Sequence, residues 1–358
     1  MKLVFAVDKV SYNDKDHIGV VKKVEAQMRL FEKNGIKTTL CQYVWEGGYP
    51  QIIIEEDTDV LYFRRIEPSV KLLLKLRQIK KINPKLRIVM EIPTYPFADE
   101  ETINMPIKRR INRGISECVL RFYVNRIVLI GQQKPMERLY GIPTICVNNG
   151  VDFDTIKIKQ PSDNNEDEIH MLCVSGCFFW HGYDRVIEGM NEYYHKKNRK
   201  EKIIFHIVGE GQCLDEYKSL AKKYGLFDKY VFFHGRKVGD ELDILYNKCD
   251  IAVECLGIHR KKLYFSSSLK SREYAAKGIP MIVANDLDIY KDDTKHYIKM
   301  FPADNSPIDM IEIVNFYQEI YKHTKNIAKQ MRKSFYPYCA WDFVYKPVLD
   351  YIKFIEKM

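Results

Sequence analysis

Short apolar runs alternate with stretches of helical period along almost the whole 358-residue chain, and that alternation restricts the fold more than any other feature. The run Leu3 to Val7 reads as a strand, a polar loop with Gly19 follows, and VVKKVEAQMRLFEKNG is helical and closed by Gly35. TTLCQYV, DVLYFRR, LRIVMEIP, RIVLIG and PTICVNNGV continue as strands, with the helix KLLLKLRQIKK among them. A polar, acidic segment, IKQPSDNNEDE from Ile158 to Glu168, interrupts the series and reads as a linker. The alternation then restarts with HMLCVSG, KIIFHIVGEG, KYVFFHG, DIAVEC and PMIVAN as strands. Strands joined by helices pair in parallel, and a chain of this length exceeds one core. The fold class is therefore α/β, with two doubly wound parallel-sheet domains: residues 1–157, a linker at 158–168, and residues 169–335.

Composition narrows the partners. The longest run free of Asp, Glu, Lys and Arg, Ile169 to Tyr183, is 15 residues and holds two His and two Gly, too short and too polar for a membrane span. The apolar run at the start is too short for a signal-peptide core, so a cytoplasmic protein is expected. Nine cysteines without a CxxC pair read as reduced core residues, with neither a disulfide framework nor structural zinc expected. The net charge of +9 is concentrated in residues 1–150, which carry 25 Lys and Arg against 17 acidic residues. Within that half, Pro106 to Arg138 holds eight cations against Glu117 and Glu137. Such a stretch suits an anionic membrane surface, and equally a solvated basic helix. No recognised nucleic-acid motif accompanies it, and nucleic acid is not expected as a partner.

In open parallel sheets ligands bind beyond the carboxyl ends of the strands, where loops enter helix N-termini. SSSLKSREYAAKGIP, Ser266 to Pro280, opens a helix near Leu269 with two cations, Lys270 and Arg272, in its first turn. The macrodipole already makes that end positive, so cations there are slightly unfavourable unless an anion binds among them. A bound diphosphate supplies that reason; side chains turned into water supply the bland one. Glu273 follows, able to accept both hydroxyls of a ribose or to pair with Lys277 one turn on. VGEGQ, Val208 to Gln212, is a second glycine loop in which Gly209 and Gly211 let a ligand or a tight turn approach the backbone. SGCFFWHGYDR, Ser175 to Arg185, is a third, with His181 between Trp180 and Gly182. In the first half, Gly19 and the segment EIPTYPFADEE, with Glu91, Thr94 and Tyr95, occupy the equivalent strand ends.

These motifs, together with NNGVD at Asn148 to Asp152, FHG at Phe233 to Gly235 and LYNKCDIAVE, resemble retaining glycosyltransferases of family 4. SLKSREYAAKG and WHGYDR resemble most closely the branch that builds bacterial capsular and exopolysaccharides. The resemblance implies a GT-B fold, two facing Rossmann-like domains with a cleft between them. The C-terminal helix, about 336–358, would cross back to the first domain. It implies transfer from a nucleotide diphosphate sugar, expected to be a UDP-sugar, to a glycan or lipid-linked acceptor hydroxyl, with no cofactor and no metal. The site it implies has Glu273, Lys270, Arg272 and His181 as catalytic residues. The donor would meet Gly209, Glu210, Gly211, Arg236, Ser267, Ser268, Leu269 and Lys262; the acceptor would meet Gly19, Glu91, Thr94 and Tyr95. Such an enzyme would work in the cytoplasm, on the inner face of the cell membrane. The sequence departs from the family at Phe265, where the first of two paired glutamates belongs, and at Cys177 and His181, where cations are frequent. The phosphate cations would then come from Lys270, Arg272, or the run Arg260, Lys261 and Lys262. A nucleotide-sugar 2-epimerase and a non-catalytic nucleotide-sugar or glycan-binding protein share the architecture and stay open at this point.

Overall fold

Two units carry the alternation, Met1–Gly150 with Trp341–Met358, and Val151–Ala340. The computed structural model describes residues 1–13, 18–64, 68–93, 95, 106–161, 167–196, 200–323 and 326–356. In the first unit β1 (Lys2–Asp8), β2 (Lys37–Tyr43), β3 (Val60–Arg64), β4 (Arg87–Ile92), β5 (Arg126–Ile130), β6 (Arg138–Leu139) and β7 (Ile142–Val147) form one sheet in the order β2-β1-β3-β4-β5-β7-β6. All neighbours are parallel except the short hairpin β6–β7. The strands are nearly continuous apolar runs because both faces are covered. Leu61, Met90 and Leu129 pack on one face, and Phe5, Tyr62 and Val128 on the other. The second face is completed by Trp341, Tyr345, Val348 and Ile352 from the C-terminal segment. Helices α1 (Ile18–Lys33), α2 (Val70–Ile82) and α3 (Ile107–Leu120) connect the strands.

Glu91, expected at the acceptor, lies instead at the buried centre of this unit. Its carboxylate faces the Lys23 ammonium at 3.0 Å and Arg64 at 3.5 Å. It accepts hydrogen bonds from Gln27, Tyr62 and Tyr345 at 2.9, 2.8 and 2.8 Å. A fully buried carboxylate needs such partners to stay ionised, so its role is to join α1, β3, β4 and the C-terminal segment. Burial opposes its charge, but the cations and the two tyrosines outweigh burial and hold the carboxyl at about 2. Burial drives the Lys23 ammonium the other way, down to about 8.

In the second unit β8 (Glu168–Val174), β9 (Lys202–Val208), β10 (Val231–Phe233), β11 (Ile251–Val253), β12 (Met281–Val283) and β13 (Ile298–Met300) form an all-parallel sheet in the order β10-β9-β8-β11-β12-β13. Helices α4 (Tyr183–His195), α5 (Leu214–Lys223), α6 (Gly239–Lys248) and α7 (Leu269–Lys277) follow successive strands. Helix α7 ends as its Gly-Ile-Pro predicts: Gly278 caps it at φ 77°, a left-handed conformation that suits glycine. A Cβ there would also press into the backbone of Ala328.

The unit boundary falls at 150 rather than 157, and the return to the first unit at 341 rather than about 336. The cause is Arg332, whose guanidinium holds the carbonyls of Phe153 and Ile156 and so ties 151–157 to the second unit. Val151 likewise donates its N–H to Cys339 O at 2.8 Å. The acidic segment is not a free linker where it is described: Lys159 N–H donates to Lys277 O at 2.9 Å and Gln160 N–H to Asn247 Oδ1 at 3.0 Å.

Glu91→Ala is expected to cost about 3–5 kcal/mol in urea unfolding at pH 7, because it strands a buried ammonium. The folded carboxyl lies near 2 and its ordinary value is 4.5, so its stabilisation is complete above about pH 4.5 and is lost as pH falls toward 2. The variant should lack that part of the acid dependence.

Candidate functional site

Three loops meet at the carboxyl edge of the second sheet because their backbones are bonded together. Ser175 N–H donates to Val208 O at 3.0 Å, Cys177 N–H to Glu210 O at 2.7 Å, Cys213 N–H to Cys177 O at 2.8 Å and Gly209 N–H to Gly235 O at 2.8 Å. This contact explains the glycines. Gly209 and Gly211 stand at φ 137° and 146°; a Cβ on the first would collide with Ser175 O, and on the second would lie 2.6 Å from Cys177 N. The sequence leaves ligand approach and a tight turn open; the structure shows the neighbouring loop as what comes close. Glu210 itself is exposed, as are Arg236 and Lys262.

His181 sits buried in this assembly, its Nδ1 accepting from Phe178 N–H at 3.3 Å and its ring parallel to Tyr183. Burial first, and the charge of Lys270 second, push the imidazole down to about 2. A neutral ring whose Nδ1 accepts carries its proton on Nε2, so His181 can donate a hydrogen bond but is a poor base.

Helix α7 begins at Ser268, whose Oγ accepts from Ser271 N–H at 3.1 Å. The two cations of its first turn point to different places. Arg272, expected beside the phosphates, is fully buried: its guanidinium pairs with Asp288 and donates to Ser267 Oγ at 2.9 Å, Ser271 Oγ at 2.9 Å and Ser268 O at 3.2 Å. It therefore shapes the turn from inside and does not present its charge outward. Among the described residues the Lys270 ammonium has no hydrogen bond, and its counter-charge is Glu254 Oε1 at 3.9 Å. Glu254, at the carboxyl end of β11, is fully buried and accepts from Ser268 Oγ and from Cys255 N–H. One carboxylate thus fixes the helix cap and faces the lysine. The sequence reading missed it, although a lone acid ending the buried run DIAVEC was the available signal.

Glu273 is half-buried and has no ion pair among the described residues. The bland alternative, its pairing with Lys277, does not form: Lys277 pairs with Asp243 and lies 4.7 Å from the Tyr246 ring centre. Phe265 is half-buried in a two-residue ribbon with Asp286–Leu287. Arg260 is held by Asp184, at 2.7 and 3.0 Å, by Phe179 O and by Asn305, whereas Lys261 rests 4.4 Å from the Trp180 ring centre. Among the described residues no group of three or more His, Cys, Asp or Glu could hold a metal ion.

Of the acceptor residues expected in the first unit, Gly19 lies in the first turn of α1 and is half-buried. Tyr95, also half-buried, accepts from Gln132 Nε2 through its carbonyl at 2.9 Å. Thr94 lies outside the described residues.

A family profile described as "Glycosyl transferases group 1" matches residues 154–334. No curated protein sequence matches the chain. Solved structures share the fold over the whole chain. The Anabaena protein Alr3699/HepE, solved with UDP, has a TM-score of 0.66 at 12% identity, covering 99% of this chain and 100% of its own. A Rickettsia africae glycosyltransferase has a TM-score of 0.63 at 12% identity, covering 99% and 98%. Sucrose-phosphate synthase from Thermosynechococcus elongatus has a TM-score of 0.63 at 11% identity, covering 100% of both chains. The fold is GT-B, two α/β domains with parallel sheets.

Substitution separates the two cations. Arg272→Ala should lower stability by about 3–5 kcal/mol, since it leaves Asp288 buried without its partner. Lys270→Ala should cost less than Arg272→Ala, because the ammonium makes no hydrogen bond among the described residues and Glu254 keeps its bonds from Ser268 and Cys255. Chemical denaturation of both variants reads the difference.

Proposed function

We propose, from the premise that the chain belongs to the glycosyl transferases of group 1, that it transfers a sugar from a UDP-sugar to a hydroxyl of a glycan or lipid-linked acceptor, with retention and in the making of a cell-surface polysaccharide. The observation that carries this reading is the start of α7. Its first-turn N–H groups, the cap Ser268 and the Lys270 ammonium, which makes no hydrogen bond among the described residues, collect positive charge in one place, which is what a leaving diphosphate requires. Glu254 lowers the cost of enclosing the lysine without occupying it with a hydrogen bond.

The residues take the following parts. The N–H groups of Ser268 and Leu269 and the Lys270 ammonium receive the diphosphate as charge builds on it. His181 donates through Nε2. Glu273, free of Lys277, accepts the ribose hydroxyls. Arg272 is a positioning residue that sets the turn. No residue of this unit is assigned as nucleophile; the acceptor attacks on the face the diphosphate leaves, and a phosphate oxygen takes the acceptor proton. With Phe265 in place of a carboxylate, hydrogen bonding to the donor sugar falls to the backbone and to neighbouring side chains, a departure that bears on which sugar is accepted.

Helix α3 supports work at a membrane surface. Ile107, Ile111 and Ile115 follow one another at four-residue spacing and are 74, 58 and 53% exposed, with Phe122 beyond them at 69%. Lys108, Arg109, Arg110 and Arg113 flank the stripe. An exposed apolar stripe bordered by cations suits an anionic bilayer surface. No described helix is long and apolar enough to cross a membrane.

Incubation with a panel of UDP-sugars and hydroxyl acceptors should give UDP and a product whose anomeric proton coupling shows retention; isomerised donor without an acceptor would contradict transfer. Glu273→Ala should lose at least about tenfold in kcat/KM, the scale of one or two hydrogen bonds made to the ribose. Vesicles containing anionic lipid should float the wild-type protein at low salt, and Ile111→Asp should weaken that attachment.

A further inference from the structure

Three histidines cross the second sheet in one hydrogen-bonded row. His170 Nδ1 lies 3.0 Å from His206 Nε2, and His206 Nδ1 lies 2.9 Å from His234 Nε2. The far end is Glu168, whose Oε2 lies 3.4 Å from His170 Nε2. Register explains the row. Leu172 pairs with His206 and His206 with Phe232, so all three rings lie on one face and climb from the amino edge of β8 to the loop after β10. That loop is one of the three joined at the candidate site, through Gly209 N–H to Gly235 O and His234 N–H to Ile207 O, at 2.8 and 2.9 Å.

The carboxylate gives the row a direction. A carboxylate only accepts, so His170 carries its proton on Nε2 and must accept at Nδ1. His206 then donates through Nε2 and accepts at Nδ1, and His234 does the same. One unsatisfied acceptor is left over, the Nδ1 of half-buried His234, for which no partner is present among the described residues. Burial lowers all three rings, His206 to about 3, so the row is neutral.

We infer that the row is a polarity relay, in which Glu168, through the positioning residues His170 and His206, makes His234 Nδ1 a hydrogen-bond acceptor for an N–H of the donor's base, as the imide of uracil supplies. This rests on the donor-site reading above. It gives a reason for burying three titratable rings in a line, where apolar residues would pack at lower cost.

The relay also reverses without leaving a charged ring inside. A proton added at His234 Nδ1 releases the Nε2 proton to His206 Nδ1; His206 releases its own to His170 Nδ1, and His170 passes its Nε2 proton to Glu168. The result is three neutral rings protonated on Nδ1 and one neutral carboxyl. His234 then donates where it had accepted. The charges facing the row are Lys202, 2.8 Å from Glu168, Asp250, which accepts from His170 N–H at 2.9 Å, Lys248 at the end of α6, and Lys237. The cations resist the added proton, so the accepting form is the one at neutral pH.

Uracil and cytosine test this, since N3 of uracil donates and N3 of cytosine accepts. Wild-type protein at pH 8 should bind UDP about tenfold or more tighter than CDP, the scale of one well-placed hydrogen bond, and that ratio should fall as the relay takes up a proton in acid. Glu168→Gln, whose amide can donate as well as accept, should shrink the ratio at pH 8, and His234→Leu should abolish it. Two-dimensional 15N spectra should show all three rings protonated on Nε2 in the wild type and a mixture in Glu168→Gln. An unchanged UDP/CDP ratio in Glu168→Gln, or Nδ1 protonation of His170 or His206 at pH 8, overturns the relay. Absence of binding by either nucleotide, with the Nε2 tautomers in place, overturns the donor-site reading and with it the base contact, but not the direction of the row.

Discussion

A cation taken out of water must be met by counter-charge and hydrogen bonds, and the start of α7 holds one cation met in full and one met only in part. Arg272 is satisfied: Asp288 and the serine oxygens of its own turn surround the guanidinium. Lys270 is balanced only in part, by a carboxylate 3.9 Å away that is itself tied to Ser268 and Cys255. The first pair builds the turn rigidly, and that rigidity holds the second cation, the helix cap and the first-turn N–H groups together. Without the buried arginine the loop Ser266 to Leu269 would lose the contacts that set its path.

The same rule organises the first unit. Glu91 gathers Lys23, Arg64, Gln27 and two tyrosines, one of them from the C-terminal segment. A network of that kind is specific in geometry because every member has a partner to lose. In the second unit the glycine loops add a further constraint, since only residues without a Cβ allow the backbones of 175–177 and 209–211 to bond directly. Both devices fix strand ends, and strand ends are where a parallel sheet offers its ligands a place.

Much of the architecture was legible in sequence. Strand and helix alternate with clear periods, and Gly278 with Pro280 ended α7 where the chain does end it. The helix start with its two cations is singled out by an argument from the macrodipole, and the structure places the Lys270 ammonium beside the cap, 3.9 Å from Glu254. The expectation fails for Arg272 because its partner, Asp288, lies beyond the end of the helix and is brought back only by the return of β12. Glu254 was missed for the same reason: its meaning depends on Ser268 and Lys270, which the sheet places beside it. Glu91 reads in sequence as an acceptor contact because it stands at a strand end, where carboxylates are normally wet, and nothing local announces two tyrosines and two cations around it. The boundary at 150 follows from Arg332, a residue far in sequence from the segment it captures. The histidine row was invisible for a related cause, since three histidines on three strands align only once the register is known.

The central claim is that the Lys270 ammonium, backed by Glu254, is the seat of the leaving diphosphate. Parallel calorimetric titrations of UDP and of uridine into the wild type and into Lys270→Met test it most directly, because uridine lacks the phosphates and shares the rest. The advantage of UDP over uridine should shrink by about tenfold or more in the variant, about 1.4 kcal/mol, with uridine affinity unchanged. An advantage of the same size in both proteins would contradict the account.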